Sequence, residues 1–331
     1  MIGQVVGVWF SFHTSSLFHF LPLFKRFLSL SVADLQRADF RFQVIADEPS
    51  NGILSEPFQQ HVMPDGSVWL SVSKHAFGYR FHFSSLADFY VSQDCRDIRC
   101  SPAPGLPAHT IEHLLLDQVL PRVLSHHGRT ILHASAVKHG QHAVAFLGDA
   151  GWGKSTLTAS FCRMGLPLIT DDCLLLDEED EQVMGVGSYP GLRLWSDSLE
   201  ALDEQEGAHA YVSHYSSKRR LGLDKADIEF YDQPLPVGHI YVLSDPEHAD
   251  PNGPVSIQPM TAREGVVSLL EYSFRLDITD RERNAREFET LSRLAERLPL
   301  FRLSYPRQYE MLPLVRGTIL AHVDQLASQT T

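Results

Sequence analysis

Cysteine is scarce in this chain: only Cys95, Cys100, Cys162 and Cys173 carry thiols, and no two stand at C-x-x-C spacing. This argues against a disulfide scaffold and a thiolate zinc site, and fits reduced thiols in a cytoplasmic protein. Histidine is plentiful, yet no H-E-x-x-H spacing occurs, and His209 and His214 flank Tyr211 without carboxylates at ligand spacing. No zinc centre is expected. Basic charge is in deficit, with 28 Lys and Arg against 41 Asp and Glu, so the net charge of −13 disfavours nonspecific binding to nucleic acid. A clean membrane-length apolar run is also missing. Val5 to Leu30 is rich in Phe, Leu and Val but is broken by His13, Thr14, Ser15, Ser16, His19 and Pro22, with Lys25 and Arg26 behind. A secretory leader would carry its basic residues first, so the stretch reads as part of a soluble domain. No internal repeat or low-complexity segment is visible.

What is present is an ordinary globular composition, long enough for a core domain and a smaller module. The most informative segment is Gly148-Asp149-Ala150-Gly151-Trp152-Gly153-Lys154-Ser155-Thr156, a complete G-x-x-x-x-G-K-[ST] phosphate-binding loop. The apolar run Ala143 to Leu147 supplies the strand that must deliver the chain to such a loop. Thr156 to Gly165 supplies the helix that must leave it, with Leu157, Phe161 and Met164 on one face and Gly165 as its C-terminal stop. In this motif Lys154 reaches the terminal phosphates and the Ser155 hydroxyl ligates Mg²⁺. Trp152 either stacks on a nucleotide base or covers the loop.

After the helix, a short apolar segment from Leu166 to Thr170 leads into Asp171 and Asp172, followed by the apolar run Cys173 to Leu176. Adjacent residues on a strand point to opposite sides, so the strand must end or twist if both carboxylates are to face the phosphates. One then holds the metal and the other accepts a proton from an attacking hydroxyl. The alternative is a solvated turn carrying two charges. Before the loop, Thr130 to Val137 and the strand after Lys138-His139-Gly140-Gln141 read as a β-hairpin, which implies a mixed rather than all-parallel sheet.

The segment Leu132-His133-Ala134-Ser135-Ala136-Val137, the loop, the helix and the paired aspartates, in this order, resemble the catalytic domain of bacterial HPr kinase/phosphorylase and the wider group of HPr-kinase-like proteins. The resemblance covers about residues 128 to 195. It implies an α/β fold with a P-loop core and mixed sheet, related to ATP-dependent phosphoenolpyruvate carboxykinase, and ATP-dependent phosphorylation of a serine hydroxyl. It further implies that Lys154 and Ser155 serve ATP and Mg²⁺, that Asp171 lies near the metal, that Asp172 deprotonates the acceptor and that His133 orients the carboxylates. Read alone, His133 is equally a strand histidine satisfied by a neighbour. Where the family carries a Glu-x-Arg-Gly segment, this chain has Gly187-Ser188-Tyr189-Pro190-Gly191-Leu192-Arg193-Leu194-Trp195. Loss of the glutamate removes the second metal contact, the reverse phosphorolytic reaction and recognition of HPr from what the resemblance implies. Arg193 is either a phosphate or acceptor contact or part of an ordinary Pro-Gly turn. Further on, Lys218, Arg219 and Arg220 interrupt an acidic stretch; they are either the family's basic loop near the phosphates or a solvated surface turn. The related kinases assemble as oligomers, so a homo-oligomer is implied.

Short strands separated by Asn-Gly, Asp-Gly and Phe-Gly turns, at Phe40 to Ile45, Val68 to Ser73 and Tyr79 to Phe83, indicate a small β-rich N-terminal module over residues 1–100. Residues 101–127 read as a linker, Ser101 to Pro107, and a helix from Thr110 to Ser125 that Pro121 kinks or restarts. Residues 128–331 form the catalytic domain, with a strand at His239 to Leu243, helices at Thr261 to Phe274 and Asn284 to Leu298, a strand at Pro299 to Ser304 and a closing helix from Glu310 to Ala327. The expected function is a kinase acting on a serine-type hydroxyl of a peptide, protein or small molecule. The rival classes are a nucleotide-driven ATPase switch acting on a partner and a binding protein that has lost transfer chemistry.

Overall fold

The protein is described by a computed structural model that covers residues 2–5, 8–12, 40–46, 55–63, 65–180, 182–202, 210–213, 217–221 and 227–329. Most of the apolar stretch from Val5 to Leu30, the Asn51-Gly52 turn, His209 and His214 lie outside the described residues. The chain divides into two units, Met1–Gly128 with Arg275–Asn284, and Arg129–Phe274 with Ala285–Thr331.

The first unit is built on one eight-stranded sheet. The strands are β1 (Ile2–Val5), β2 (Val8–Phe12), β3 (Phe40–Val44), β4 (Gln59–Val62), β5 (Val68–His75), β6 (Gly78–Phe83), β7 (Ala87–Ser92) and β8 (Asp97–Pro102), in the spatial order β1-β2-β3-β8-β7-β6-β5-β4. β2, β3 and β8 run parallel, and β4 to β8 pair as antiparallel neighbours wherever they adjoin. Register sets Leu70 opposite Phe83 and Phe81 opposite Phe89, all fully buried, so the cross-strand pairs form an aromatic core. The Pro-rich stretch begins inside β8 and turns directly into a helix, with Pro107 at the N-cap.

That helix runs as α1 (Ala108–Leu114), a wide π turn from Leu115–Val119, and α2 (Leu120–His126). The disturbance expected at Pro121 therefore falls one turn earlier. Proline has no N–H to donate and its ring crowds the carbonyl four residues back, that of Asp117 within the wide turn. A short excursion of the chain, residues 275–284, completes this unit. Buried Asp277 pairs with Lys74 and accepts hydrogen bonds from Tyr79 Oη at 3.1 Å and the Thr279 amide at 2.9 Å. Burial alone would raise its pKa, but the bonds from Lys74 and Thr279 push it down to about 2.

In the second unit the strands at the centre of the sheet are buried on both sides, as in a sheet covered twice, while the outlying strands keep exposed positions. The strands are β9 (Thr130–Leu132), β10 (Ala134–His139), β11 (His142–Leu147), β12 (Leu168–Thr170), β13 (Leu174–Glu179), β14 (Gln182–Gly187), β18 (Leu235–Leu243), β19 (Ser256–Pro259) and β20 (Leu300–Ser304), joined in one nine-stranded mixed sheet. A separate small sheet holds β15 (Leu192–Leu194), β16 (Ala210–Tyr211) and β17 (Arg219–Leu221). β11, β18 and β20 are mutually parallel neighbours, while β10 and β11 form the expected antiparallel hairpin. Val144, Phe146, Tyr241 and Leu243 face one side, where α3 (Lys154–Cys162) and α7 (Leu312–Gln329) pack through Leu157, Phe161, Val315 and Ile319. Ala143, Ala145, Ile240 and Val242 face the other, against Leu269 of α5 (Ala262–Tyr272) and Leu291 and Leu294 of α6 (Arg281–Arg297). A short helix α4 (Ser196–Ala201) follows β15. The class is mixed α/β. Among the described residues no helix is long and apolar enough to cross a membrane.

The single strand expected from Thr130 to Val137 is two. β9 pairs with β13 and β10 with β11, and between them His133 leaves both ladders, its amide donating to the Tyr272 carbonyl at 2.7 Å. Apolarity revealed the run but not the change of partner.

Candidate functional site

β11 ends at Leu147 and delivers the chain to residues 148–153. Gly148 has φ of 154°, and a Cβ there would lie 3.2 Å from the Leu243 side chain and 3.3 Å from the Trp152 ring. Only glycine takes that backbone without strain. Trp152 thus covers the loop from one side. Gly153, at φ of 93°, is the N-cap of α3, which opens at Lys154, two residues before the expected Thr156. Loop amides consequently stand at a helix N-terminus, where the backbone favours an anion.

Lys154 is buried and folds back onto the loop, donating to the Gly148 carbonyl at 2.6 Å and the Asp149 carbonyl at 3.1 Å. Burial pushes its pKa down to about 8, with Asp172 and Asp171 opposing. The Thr156 hydroxyl lies 3.0 Å from Ser198 Oγ, which is 3.2 Å from Tyr309 Oη. This short polar chain ties the start of α3 to the segment after β20.

The two aspartates occupy the turn between β12 and β13, so strand ending, rather than twist, resolves their opposed directions. Asp171 is buried. Its Oδ2 accepts the Arg193 backbone N–H at 2.8 Å and its Oδ1 accepts from Ser135 Oγ at 3.1 Å. Burial first, then the neighbouring Asp172 charge, push its pKa up to about 6. Asp172 faces the cavity. Arg193 Nη1 donates to its Oδ2 at 2.5 Å, and His133 Nε2 lies 3.7 Å from Oδ1. Burial would raise this carboxyl, yet Arg193, His133 and Lys218 outweigh it and hold the group well below the ordinary carboxylate range. His133 itself is pushed below its usual pKa by burial and then by the Lys154 ammonium.

Lys154, Asp172, His133, Arg193 and Lys218 line one cavity of about 210 Å³ together with the loop from Asp149 to Thr156. Lys218 hangs over the Trp195 ring at 5.2 Å. Arg219 and Arg220 are not in its wall: Arg219 stacks on Tyr211 at 3.4 Å, and buried Arg220 stands opposite Arg193 across the β15–β17 pair.

The cavity also holds residues that sequence reasoning missed. Tyr305, Arg307 and Tyr309 form its far wall, with the Arg307 guanidinium 3.8 Å over the Tyr305 ring and donating to the Ser244 carbonyl at 2.8 Å. The signal was the strand before them. β20 runs parallel to β18 and β11, so residues beyond its carboxyl end share the edge at which the loop begins. Ser135 was the other signal, a polar residue in an apolar strand that needs a partner when buried, and Asp171 is that partner.

The donor set fits the groups that the loop motif implies. A small hard cation takes oxygen ligands and keeps several of its own waters, and Ser155 with Asp171 offers one hydroxyl and one carboxylate whose burial a positive charge would offset. A nucleotide's phosphates fit the loop amides and the Lys154 ammonium.

No family model matches this chain, and no curated protein matches it. Among solved structures, the HPr(Ser) kinase/phosphatase from Coxiella burnetii is similar over 60% of this chain and 98% of that one, with 15% sequence identity and a TM-score of 0.33.

Proposed function

We propose that this protein is an ATP-dependent kinase of the HPr-kinase-like kind, built on a P-loop core, that transfers the γ-phosphoryl group of ATP to a serine-type hydroxyl of a peptide, protein or small molecule. One observation carries the reading: a phosphate-loop lysine and a cavity-facing carboxylate, Lys154 and Asp172, share one cavity, with a second, buried carboxylate, Asp171, next to Asp172 in the chain.

In this reading the loop amides and Lys154 bind the phosphate oxygens. Ser155 and Asp171 would hold Mg²⁺, which supplies charge neutralisation on the β- and γ-phosphates. Asp172 orients the acceptor hydroxyl and receives its proton as the acceptor oxygen bonds to phosphorus and the bond from phosphorus to the bridging oxygen breaks, leaving ADP. A carboxylate held this low is a weak base. The loose transition state of phosphoryl transfer asks for little proton removal early, so position matters more than basicity. Arg193 fixes that position at one carboxylate oxygen, and the His133 ring stands 3.7 Å from the other.

The test is single-turnover transfer from γ-labelled ATP with Mg²⁺, comparing the wild type with Asp172→Asn against serine peptides and free hydroxyl acceptors. Label on an acceptor serine that disappears in Asp172→Asn while ATP still binds supports the kinase. Label found only in free phosphate would instead make the protein an ATPase.

A further inference from the structure

Four strands of the larger sheet end at one edge. β12 pairs antiparallel with β10, and β10 antiparallel with β11, so β12 runs in the direction of β11, as β18 and β20 do. Across that edge the order is β12-β10-β11-β18-β20. The phosphate loop leaves the middle strand. The aspartate turn follows β12, two strands to one side, and residues 305–312 follow β20, two strands to the other. Neighbouring strands lie about 4.8 Å apart, so the two groups flank the loop at roughly 10 Å on opposite sides. Asp172 from the one and Tyr305, Tyr309 and Leu312 from the other line the same cavity.

A nucleoside triphosphate is a long molecule with chemically unlike ends. In the kinase reading its γ-phosphate meets the acceptor at Asp172, on the β12 side, while the loop and Lys154 hold the middle of the phosphate chain. The nucleoside then extends toward the β20 side. That side offers a surface for a base. Tyr309 lines the cavity while 37% exposed, and its ring is fixed by its hydroxyl, 3.2 Å from the Oγ of buried Ser198, which is itself 3.0 Å from the Thr156 hydroxyl in α3. An exposed aromatic ring held by its polar end is a stacking face whose orientation is set before a base arrives. Leu312, three residues on, adds apolar wall, and Tyr305 closes the space toward the loop, where a Cβ on Gly153 would lie 3.7 Å from its hydroxyl. Asp197 precedes Ser198, accepts its amide at 2.9 Å and puts an exposed carboxylate in the cavity wall beside the Ser198–Tyr309 pair. A carboxylate repels phosphate, whereas it accepts hydrogen bonds from the hydroxyls of a sugar.

From this arrangement we infer that the wall made by Tyr309, Leu312 and Asp197 is the nucleoside subsite of the phosphate donor: Tyr309 stacks on the base with Leu312 beside it, and Asp197 accepts from the ribose hydroxyls. The donor is thus selected as a nucleotide and not only as a triphosphate. The inference rests on the kinase reading for the direction in which the donor lies.

Titration of the full chain, in the presence of Mg²⁺, with ATP, 2′,3′-dideoxy-ATP and inorganic tripolyphosphate tests it. The wild type is expected to bind ATP about tenfold or more tightly than tripolyphosphate. Tyr309→Ala lowers the affinity for ATP by about tenfold and leaves that for tripolyphosphate as it was, while Tyr309→Phe keeps most of the preference for ATP. Asp197→Ala brings ATP and its dideoxy form to equal affinity. Unchanged binding of tripolyphosphate shows that the variants are folded with the loop intact. Equal binding of ATP and tripolyphosphate by the wild type would overturn the inference, and so would a loss in Tyr309→Ala shared by both ligands, which would make Tyr309 a prop for Thr156 alone. Label transfer on the same samples separates the two ideas. A Tyr309-dependent preference for ATP without transfer to any acceptor keeps the subsite and sinks the kinase, whereas transfer from tripolyphosphate as fast as from ATP keeps a phosphotransferase and sinks the subsite.

Discussion

Arg193 binds Asp172 through its guanidinium, at 2.5 Å, and through its backbone N–H it also holds Asp171. One residue of β15 thereby fixes both carboxylates of the site. The consequence concerns stability as well as chemistry, since the Arg193 side chain is only 4% exposed.

Arg193→Met should destabilise the protein by about 3 kcal/mol, because it strands a largely buried carboxylate. The Asp172→Asn change made in the same chain should recover most of that loss. Urea midpoints of the two single variants and the double variant check this, and a double variant no more stable than Arg193→Met would refute it.

Nucleotide affinity should fall as pH rises through about 8, where the Lys154 ammonium loses its proton. The sign follows from the charge: the protonated form is present below that pH and attracts phosphate, while the neutral amine above it does not. The decline should approach about tenfold per pH unit on the alkaline side, and Lys154→Met should bind weakly with no such slope. Titrations between pH 7 and 9.5, in buffers of different ionisation enthalpy, would also detect proton uptake on binding.

Much of this site was legible in the chain. The glycines, Lys154 and Ser155 lie within one local motif, and a strand, loop and helix assemble it without help from distant residues. The aspartates were legible because two charges between apolar runs are unusual. What could not be read was set by pairing across the sheet. Nothing local to Tyr305 and Arg307 says that β20 lies parallel to β18, and nothing near His133 says that the strand changes partner there. The residues around Arg193 suit either a phosphate or acceptor contact or an ordinary Pro-Gly turn, whereas the fold brings its guanidinium to Asp172 from the small β15–β17 sheet.

Gly187→Ala should be among the most damaging single-methyl additions. A Cβ there would sit 1.9 Å from the Ile169 carbonyl oxygen, and Ile169 precedes the aspartate turn by two residues. Relief requires β12 or β14 to shift, at a cost of about 3 kcal/mol or more. Thermal melting of the variant, with nucleotide binding measured on whatever stays folded, checks both the loss and its transmission to the site.

Asp277→Ala should cost about 1–3 kcal/mol, because Tyr79 and Lys74 lose a buried acceptor. In the wild type this contribution is complete above the ordinary carboxylate range near 3.8 and is lost as pH falls through about 2. The variant should lack that limb of the acid-unfolding curve. Amide exchange around Tyr79 would accelerate with it, and unchanged exchange there would argue that Asp277 does not hold the unit together.

The placement of residues 275–284 with the N-terminal unit bears on how the protein is made. A ribosome releases the strands of that unit first, yet Lys74 and Tyr79 wait for Asp277, which emerges only after the loop, the aspartates and α5 have been synthesised. Domains that are continuous in sequence can finish folding one after another behind the ribosome. Here the first to begin is not the first to be completed, and a chain truncated anywhere between Gly128 and Asp277 releases an N-terminal unit with an unpartnered lysine and tyrosine where its last clasp should be.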